Sequence, residues 1–322
     1  MKSVLITHND LDGLGSVVLS EFFNLKFDLI YFLDYSERDD EEFFKDLIKE
    51  YDIIEMADFS PPVSELNWIL ENNKMIAVYD HHDSSEVIKE IIHPNFKLFH
   101  DKERCGTKIL FEEYIKPRFK RMKPIVEEFV NLVNTYDLFK SDHLLWQEAQ
   151  ALNRVMYSSL NYGQFQWELY GRFIKGIVYK LEHQDKWSWN DYEMEKINKD
   201  IDKENKMYEG SKRILQTRTD EKGNKFGLFH NRGKLSIICQ RLLKEYPDLK
   251  YIIAINTYDG VGGVGWQKLS IRSRDEKEFD CTNLKDCKGH KQAAGASCEI
   301  EFAKDLWMGK INSIAYNEEN NS

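Results

Sequence analysis

Over the first 140 residues, short apolar runs alternate with longer amphipathic stretches, and this alternation limits the fold more than any other feature. Residues 3–7 read as a buried strand, and 14–24 as a helix that opens on glycines 13 and 15. Residues 27–33 form a second strand, 38–50 a charged amphipathic helix and 52–57 a third strand. A helix over 61–72 follows, with proline where a first turn tolerates it. Residues 75–79 and 96–99 complete the strand set. Strands that alternate with helices over short loops pack as a parallel sheet covered on both faces, so the expected class is α/β.

Beyond residue 105 the pattern turns mostly helical, with helices expected over 105–115, 124–134, 145–157 and 164–175. Residues 190–218 are highly charged with sparse apolar positions and predict a long solvated helix. The pattern then changes again. Residues 226–229, 251–256 and 265–272 read as strands, 235–246 as a helix, and a further helix is expected to start near His290. The glycine-rich run 259–265 lies between two strands, which favours a hairpin loop over a dinucleotide loop. These shifts predict a first domain over 1–185, a helical connector over 186–222 and a smaller α/β domain over 223–322.

Composition narrows the function classes. The net charge is −10, which argues against a protein that grips long duplex nucleic acid by neutralising phosphates. The basic run 116–123 is read as a solvated loop. Five cysteines with no CxxC pair suggest reduced thiols rather than a disulfide framework or a structural zinc site. No apolar run is long enough to span a membrane, and the N-terminus has no signal-peptide pattern. A cytoplasmic protein without membrane partners is the expectation, with homodimerisation left open.

The chemistry is concentrated at strand ends. His8, Asp10 and Asp12 follow the first strand, Asp58 the third, and Asp80, His81 and His82 the fourth. Ligands of open parallel sheets bind outside the carboxyl ends of the strands. Carboxylates gathered on one sheet edge repel unless cations lie between them, and mixed carboxylate and imidazole donors suit Mn²⁺, Mg²⁺ or similar ions. The plainer alternative is a set of solvated loop residues and helix caps, with Asp12 before Gly13 capping the next helix.

The segments His8-Asn-Asp10-Leu-Asp12-Gly13, Ala57-Asp58 and Asp80-His81-His82 resemble successive motifs of the DHH phosphoesterase superfamily. Lys288-Gly289-His290-Lys-Gln-Ala-Ala-Gly295 resembles its DHHA1 substrate-binding domain. The motifs run in family order along nearly the whole chain, and the opening segment looks most like the nanoRNase B branch. The resemblance implies two divalent ions, Mn²⁺ ahead of Mg²⁺ or Co²⁺. His8 and Asp10 would hold one and Asp12 the other, Asp58 would bridge them, and His81 and Asp137 would complete the second set. Asp142 is the alternative to Asp137. Asp80 would orient a histidine and His82 would meet the substrate phosphate. In the second domain, Gly289, His290 and Gly295 would line the substrate pocket and Arg272 would bind a phosphate, with Arg274 a weaker candidate. Lys288 stands where the family has glycine.

The activity so implied is hydrolysis of short oligoribonucleotides to mononucleotides by a metal-activated water. Cyclic mono- or dinucleotides and bisphosphate nucleotides are the rival substrates. A nucleotide-binding sensor or sponge is the rival from outside enzymology.

Overall fold

The computed structural model describes residues 1–33, 35–38, 40–160, 166–231, 233–256 and 266–317. The chain divides into two compact units, Met1–Ile197 and Asn198–Ser322.

In the first unit, β1 (Ser3–Thr7) leads into α1 (Leu11–Phe22), and β2 (Leu29–Phe32) into the short α2 (Tyr35–Arg38) and α3 (Glu41–Ile48). Then come β3 (Ile53–Ala57), α4 (Val63–Glu71), β4 (Met75–Asp80) and β5 (Phe96–His100). The strands are parallel in the order β2-β1-β3-β4-β5. Strand order reverses between β1 and β3, and such a switch point opens a crevice at the carboxyl ends of the strands.

Side-chain alternation sorts the sheet into two cores. Val4, Ile6, Ile54, Met56, Ile76 and Val78 pack with Phe44 and Ile48 of α3 and Leu66 and Ile69 of α4. On the other face, Leu5, Ala57 and Tyr79 meet α1 and a layer of helices that follows the sheet. That layer comprises α5 (Gly106–Leu110), which continues as a π-helical turn over Phe111–Ile115, then α6 (Pro124–Asp137), α7 (Trp146–Ser159) and α8 (Gln166–His183). A charged helix, α9 (Asp191–Ile214), follows, and the boundary between the two units falls within it.

Glu55 breaks the apolar pattern of the helix-covered face. Its carboxyl is buried and Oε2 has no hydrogen-bond partner among the described residues. Burial pushes its pKa up to about 7, against the pull of the Tyr79 hydrogen bond and the Arg118 charge. A group raised on folding contributes stability that is fully present below its unfolded pKa and lost as pH rises through the folded value. Glu55→Gln is therefore expected to leave stability at pH 5 nearly unchanged. At pH 8 it should stabilise the protein by on the order of 3 kcal/mol. Denaturant titrations at both pH values check this, and an equal effect at the two would refute it.

In the second unit, β6 (Gln216–Thr219), β7 (Lys225–Asn231), α10 (Leu235–Glu245), β8 (Tyr251–Asn256) and β9 (Trp266–Ser273) are followed by β10 (Lys288–His290), β11 (Ala293–Glu299) and α11 (Ile300–Met308). The sheet order is β10-β11-β9-β8-β7-β6. Only the pair of β7 and β8 is parallel among these strands.

Two expectations are corrected here. The helix expected near His290 is a hairpin strand, because residues 288–290 pair with Ala293–Gly295; the helix starts at Ile300. The charged helix ends at Ile214, and residues 216–219 pair with β7 instead of continuing it. The glycine-rich run 259–265 lies outside the described residues. All five cysteines are free thiols. Among the described residues, no helix is long and apolar enough to cross a membrane.

Candidate metal centre

The turn after β1 does two jobs. Asp10 is the N-cap of α1, its Oδ1 accepting hydrogen bonds from the amides of Asp12 at 3.0 Å and Gly13 at 3.1 Å. Its Oδ2 lies 2.9 Å from His8 Nδ1. The cap is thus Asp10, whereas Asp12 lies inside the first helical turn. Gly13 is required sterically: a Cβ there would stand 1.9 Å from the His8 carbonyl oxygen.

Asp12 is fully buried, and its carboxylate is held by the start of α5. Gly106 N donates to Oδ2 at 2.6 Å and Thr107 N to Oδ1 at 2.8 Å, while the Thr107 hydroxyl donates to the Asp12 carbonyl. Amides at a helix N-terminus suit a carboxylate. Asn134 of α6 fixes the same turn, accepting from Cys105 N at 2.9 Å.

Asp58 follows β3 with φ of 59°, in the left-handed region. Non-glycine residues seldom adopt that conformation, and such positions concentrate at functional sites. Its amide donates to the Tyr79 carbonyl at 2.9 Å. Gly106 packs directly on it: a Cβ at 106 would come within 2.5 Å of Asp58 N and 2.7 Å of its Cα.

At the end of β4, buried Asp80 organises the two histidines. Its Oδ1 accepts from His81 N at 2.8 Å and His82 N at 3.3 Å, and lies 2.7 Å from His82 Nδ1. Ser85 donates to Oδ2. His100 of β5 places Nε2 2.9 Å from the His82 carbonyl. His81 Nε2 stands 3.4 Å from Asp58 Oδ1 and 3.2 Å from Asp137 Oδ2. Asp137 arrives from the last position of α6. Asp142 is exposed in the loop beyond and does not join these groups.

The result is three overlapping donor sets, each with its ligand atoms within 4.8 Å of one another: His8, Asp10 and Asp58; Asp12, His81 and Asp137; Asp58, Asp80, His81 and His82. Asp58 and His81 each belong to two sets. Asp58 Oδ2 and Asp137 Oδ2 are buried with no hydrogen-bond partner among the described residues. Buried polar atoms are otherwise almost always paired.

The electrostatics agree with missing positive charge. Burial, then the charges of Asp10, Asp12, Asp137 and Asp80, push the Asp58 carboxyl well above the usual range. Burial, then Asp12, Asp10 and Asp80, do the same to Asp137. Asp10 and Asp80 go the other way. Burial raises each, but His8 at Asp10 and His82 at Asp80 outweigh it and hold both below the usual carboxylate range. Burial disfavours a charged His82, yet the Asp80 hydrogen bond and charge raise its pKa overall. A donor set of carboxylates and imidazoles with two orphaned buried oxygens fits divalent cations well.

The second-unit residues lie on neighbouring strands. His290, Ala293 and Arg272 share one register row, and Lys288, Gly295 and Ser270 the next but one, with Gly289 opposite Ala294 between them. Arg272 donates to the Ile271 carbonyl at 2.8 Å, the Ala294 carbonyl at 3.2 Å and Ser236 Oγ at 2.6 Å. Among the described residues no carboxylate pairs with it, and burial lowers its pKa. Arg274 is spent on structure, donating to the carbonyls of Leu243, Pro247 and Leu249.

The amide clamp of Gly106 and Thr107, the anchor Asn134 and the His100 contact were not found by sequence reasoning. Gly106 in a Cys-Gly-Thr start to a helix was the one available cue.

No protein-family model matches the chain. Among curated proteins it is similar to oligoribonuclease NrnB of Bacillus subtilis, with 22% identity over 92% of this chain and 73% of that protein. Among solved structures it resembles PggH, a pGpG-specific phosphodiesterase from Vibrio cholerae. The TM-score is 0.56 at 16% identity, over 96% of this chain and 97% of that one. It also resembles the DHH domain of a protein assigned to a family of ribosomal proteins. Here the TM-score is 0.54 at 13% identity, over 98% of this chain and 87% of that one. Motif order and a similarity that runs along nearly the whole sequence make this protein similar to the DHH/DHHA1, nanoRNase-like phosphoesterases.

Proposed function

We propose that this phosphodiesterase hydrolyses short oligoribonucleotides, linear dinucleotides among them, to nucleoside monophosphates, using two divalent cations. The observation that carries the reading is the pair of donor sets, His8/Asp10/Asp58 and Asp12/His81/Asp137, joined through Asp58 and its 3.4 Å approach to His81. In this reading His8 and Asp10 hold one ion, Asp12, His81 and Asp137 the other, and Asp58 both. When bound, the ions would polarise a phosphoryl oxygen and lower the pKa of an attacking water. Manganese is favoured by the mixed nitrogen and oxygen donors.

The chain's own residues supply the rest. Asp80 fixes the His82 ring through Nδ1 and favours its protonated form. His82 then serves as a hydrogen-bond donor to phosphoryl oxygens as negative charge builds on them. The amides of Gly106 and Thr107 fix Asp12, so that ligand cannot swing out of the set. Arg272 is the candidate for a second phosphate, because a buried guanidinium without a carboxylate partner is favourable only when an anion joins it. Gly289, His290 and Gly295 line the substrate in the same reading. Similarity to an oligoribonuclease and to a pGpG-specific phosphodiesterase supports a short linear substrate, and a cytoplasmic location goes with such a pool.

The test is a panel with Mn²⁺: a 5′-phosphorylated RNA dinucleotide, a longer RNA, a cyclic dinucleotide, cyclic AMP and 3′-phosphoadenosine 5′-phosphate. The dinucleotide should be converted fastest, giving only monophosphates. Faster cleavage of a cyclic substrate or of the bisphosphate would replace this reading.

A further inference from the structure

Arg272 and Arg274 are near neighbours in the chain, but the fold uses them differently. Arg274 Nη2 donates to three backbone carbonyls, and its Nη1 lies 3.4 Å from Glu278 Oε2. Its donors and its charge are both met within the fold. Arg272 has no carboxylate partner among the described residues. Its Nη1 donates to the carbonyls of Ile271 and Ala294, and its Nη2 to Ser236 Oγ at 2.6 Å. A guanidinium carries one proton on Nε and two on each Nη. Both Nη1 protons and one Nη2 proton are therefore engaged, while the Nε–H and the second Nη2–H have no acceptor among the described residues. Two such donors on one planar group match two oxygens of a phosphate.

Ser236 decides how that pair of donors is turned. The Ala294 carbonyl belongs to the β11 residue opposite Gly289, so Nη1 is pinned beside the hairpin that carries Gly289 and Gly295. Nη2 is held from a different element, because Ser236 is the second residue of α10, which packs on β8 and β9. A serine near a helix start ordinarily caps the first amides. Here the cap position is Lys234, with φ of 51° and no side-chain cap hydrogen bond, and the Ser236 oxygen takes the Arg272 proton instead. A hydroxyl that accepts still has its own proton to give. The Ser236 O–H has no acceptor among the described residues. The guanidinium pair and the hydroxyl thus stand side by side, joined by one hydrogen bond, with nothing in the fold to receive them.

We infer that Ser236 is a specificity-determining residue: it sets the direction of the Arg272 donor pair and adds its own hydroxyl to a terminal phosphate of the substrate, the 5′-phosphate of a linear dinucleotide. The inference rests on the phosphodiesterase reading above and on the place of Arg272 in it. Ser236 lies 36 residues before Arg272 and outside every motif. The donor set suits a terminal phosphate better than an internal diester. A terminal phosphate carries about −1.5 to −2 charges at neutral pH and three free oxygens, so the guanidinium can take two oxygens and the hydroxyl the third. An internal diester has a single charge and one free oxygen fewer.

The experiment uses the full chain loaded with Mn²⁺ and two RNA dinucleotides that differ only in the 5′-phosphate. Ser236→Ala is expected to raise KM for the phosphorylated dinucleotide by about tenfold, with kcat little changed. KM for the unphosphorylated dinucleotide should rise far less, so the preference for the 5′-phosphate shrinks by nearly the same factor. Ser236→Thr keeps the hydroxyl and should restore most of that preference. An unchanged KM for the phosphorylated dinucleotide in Ser236→Ala would overturn the proposal while leaving the function intact. So would an equal rise on both dinucleotides, or a loss confined to kcat, since either would report a structural role for the serine. A wild-type protein that cleaves neither dinucleotide would remove the underlying reading, and this proposal with it.

Discussion

Asp58→Asn is expected to lose turnover by on the order of a thousandfold while making the metal-free protein harder to unfold at neutral pH. The two effects share one cause. Asp58 belongs to two donor sets, so its loss weakens both; removal of a residue that merely supports a ligand costs roughly 10- to 100-fold. Without cations, the same carboxylate is buried among Asp10, Asp12, Asp137 and Asp80, and its pKa is raised well above the usual range. A group so raised contributes stability that is complete below its unfolded pKa and lost as pH climbs through the folded value. Asp137 behaves alike. Asp10 and Asp80 are depressed, and their contributions vanish as pH falls. The metal-free wild type should therefore lose Tm as pH rises above the ordinary carboxylate range, and Asp58→Asn should lose less. Asparagine is the right replacement because it tolerates the left-handed φ of 59° better than alanine. Thermal melts in chelator, and again after Mn²⁺ addition, measure both halves. A variant within tenfold of wild-type activity would remove Asp58 from its bridging role.

Gly106→Ala should be nearly as damaging to activity, although residue 106 carries no ligand atom. Its added methyl would meet Asp58 N at 2.5 Å, Asp58 Cα at 2.7 Å and Asp58 Cβ at 2.9 Å. Two of these are backbone atoms, so no rotamer change relieves the clash. Either Asp58 moves, or the start of α5 withdraws and takes with it the amides that hold Asp12. Overpacking of this kind costs about 1–3 kcal/mol, and a ligand displaced by about 1 Å can cost on the order of 100-fold in rate. The expected outcome is a lower Tm, a rate reduced by about that factor and a weaker Mn²⁺-induced stabilisation. Wild-type values for all three would show that the packing of α5 on Asp58 is not tight in solution.

The parallel sheet was legible because two periodicities alternate along the first hundred residues, and carboxylates and imidazoles recur at the strand ends. Side chains such as His8, Asp58 and His81 are carried to one edge by strand direction alone. What was not legible depends on distance in the chain. Asp12 and Gly106 are 94 residues apart, and Cys105 and Asn134 are 29 apart. No local pattern announces that a helix start will close on a carboxylate from another layer. Residues 288–290 were misread as leading into a helix because a short hairpin strand in a segment of glycine, histidine and alanine has no apolar alternation to reveal it.

Asp10 is both a helix cap and a member of the cluster, and this bears on how a folded but silent copy of the enzyme should be made. Changing Asp10 to trap substrate would also unfasten the first turn of α1, at about 1 kcal/mol for a lost cap, and the trap would be compromised by its own instability. Asp137 has no such second duty. It ends α6, where the helix dipole disfavours a carboxylate, and burial and its acidic neighbours disfavour it further. Asp137→Asn should therefore give a bait that is inactive yet melts no lower than the parent, able to hold a bound oligonucleotide long enough for it to be recovered from a mixture and sequenced.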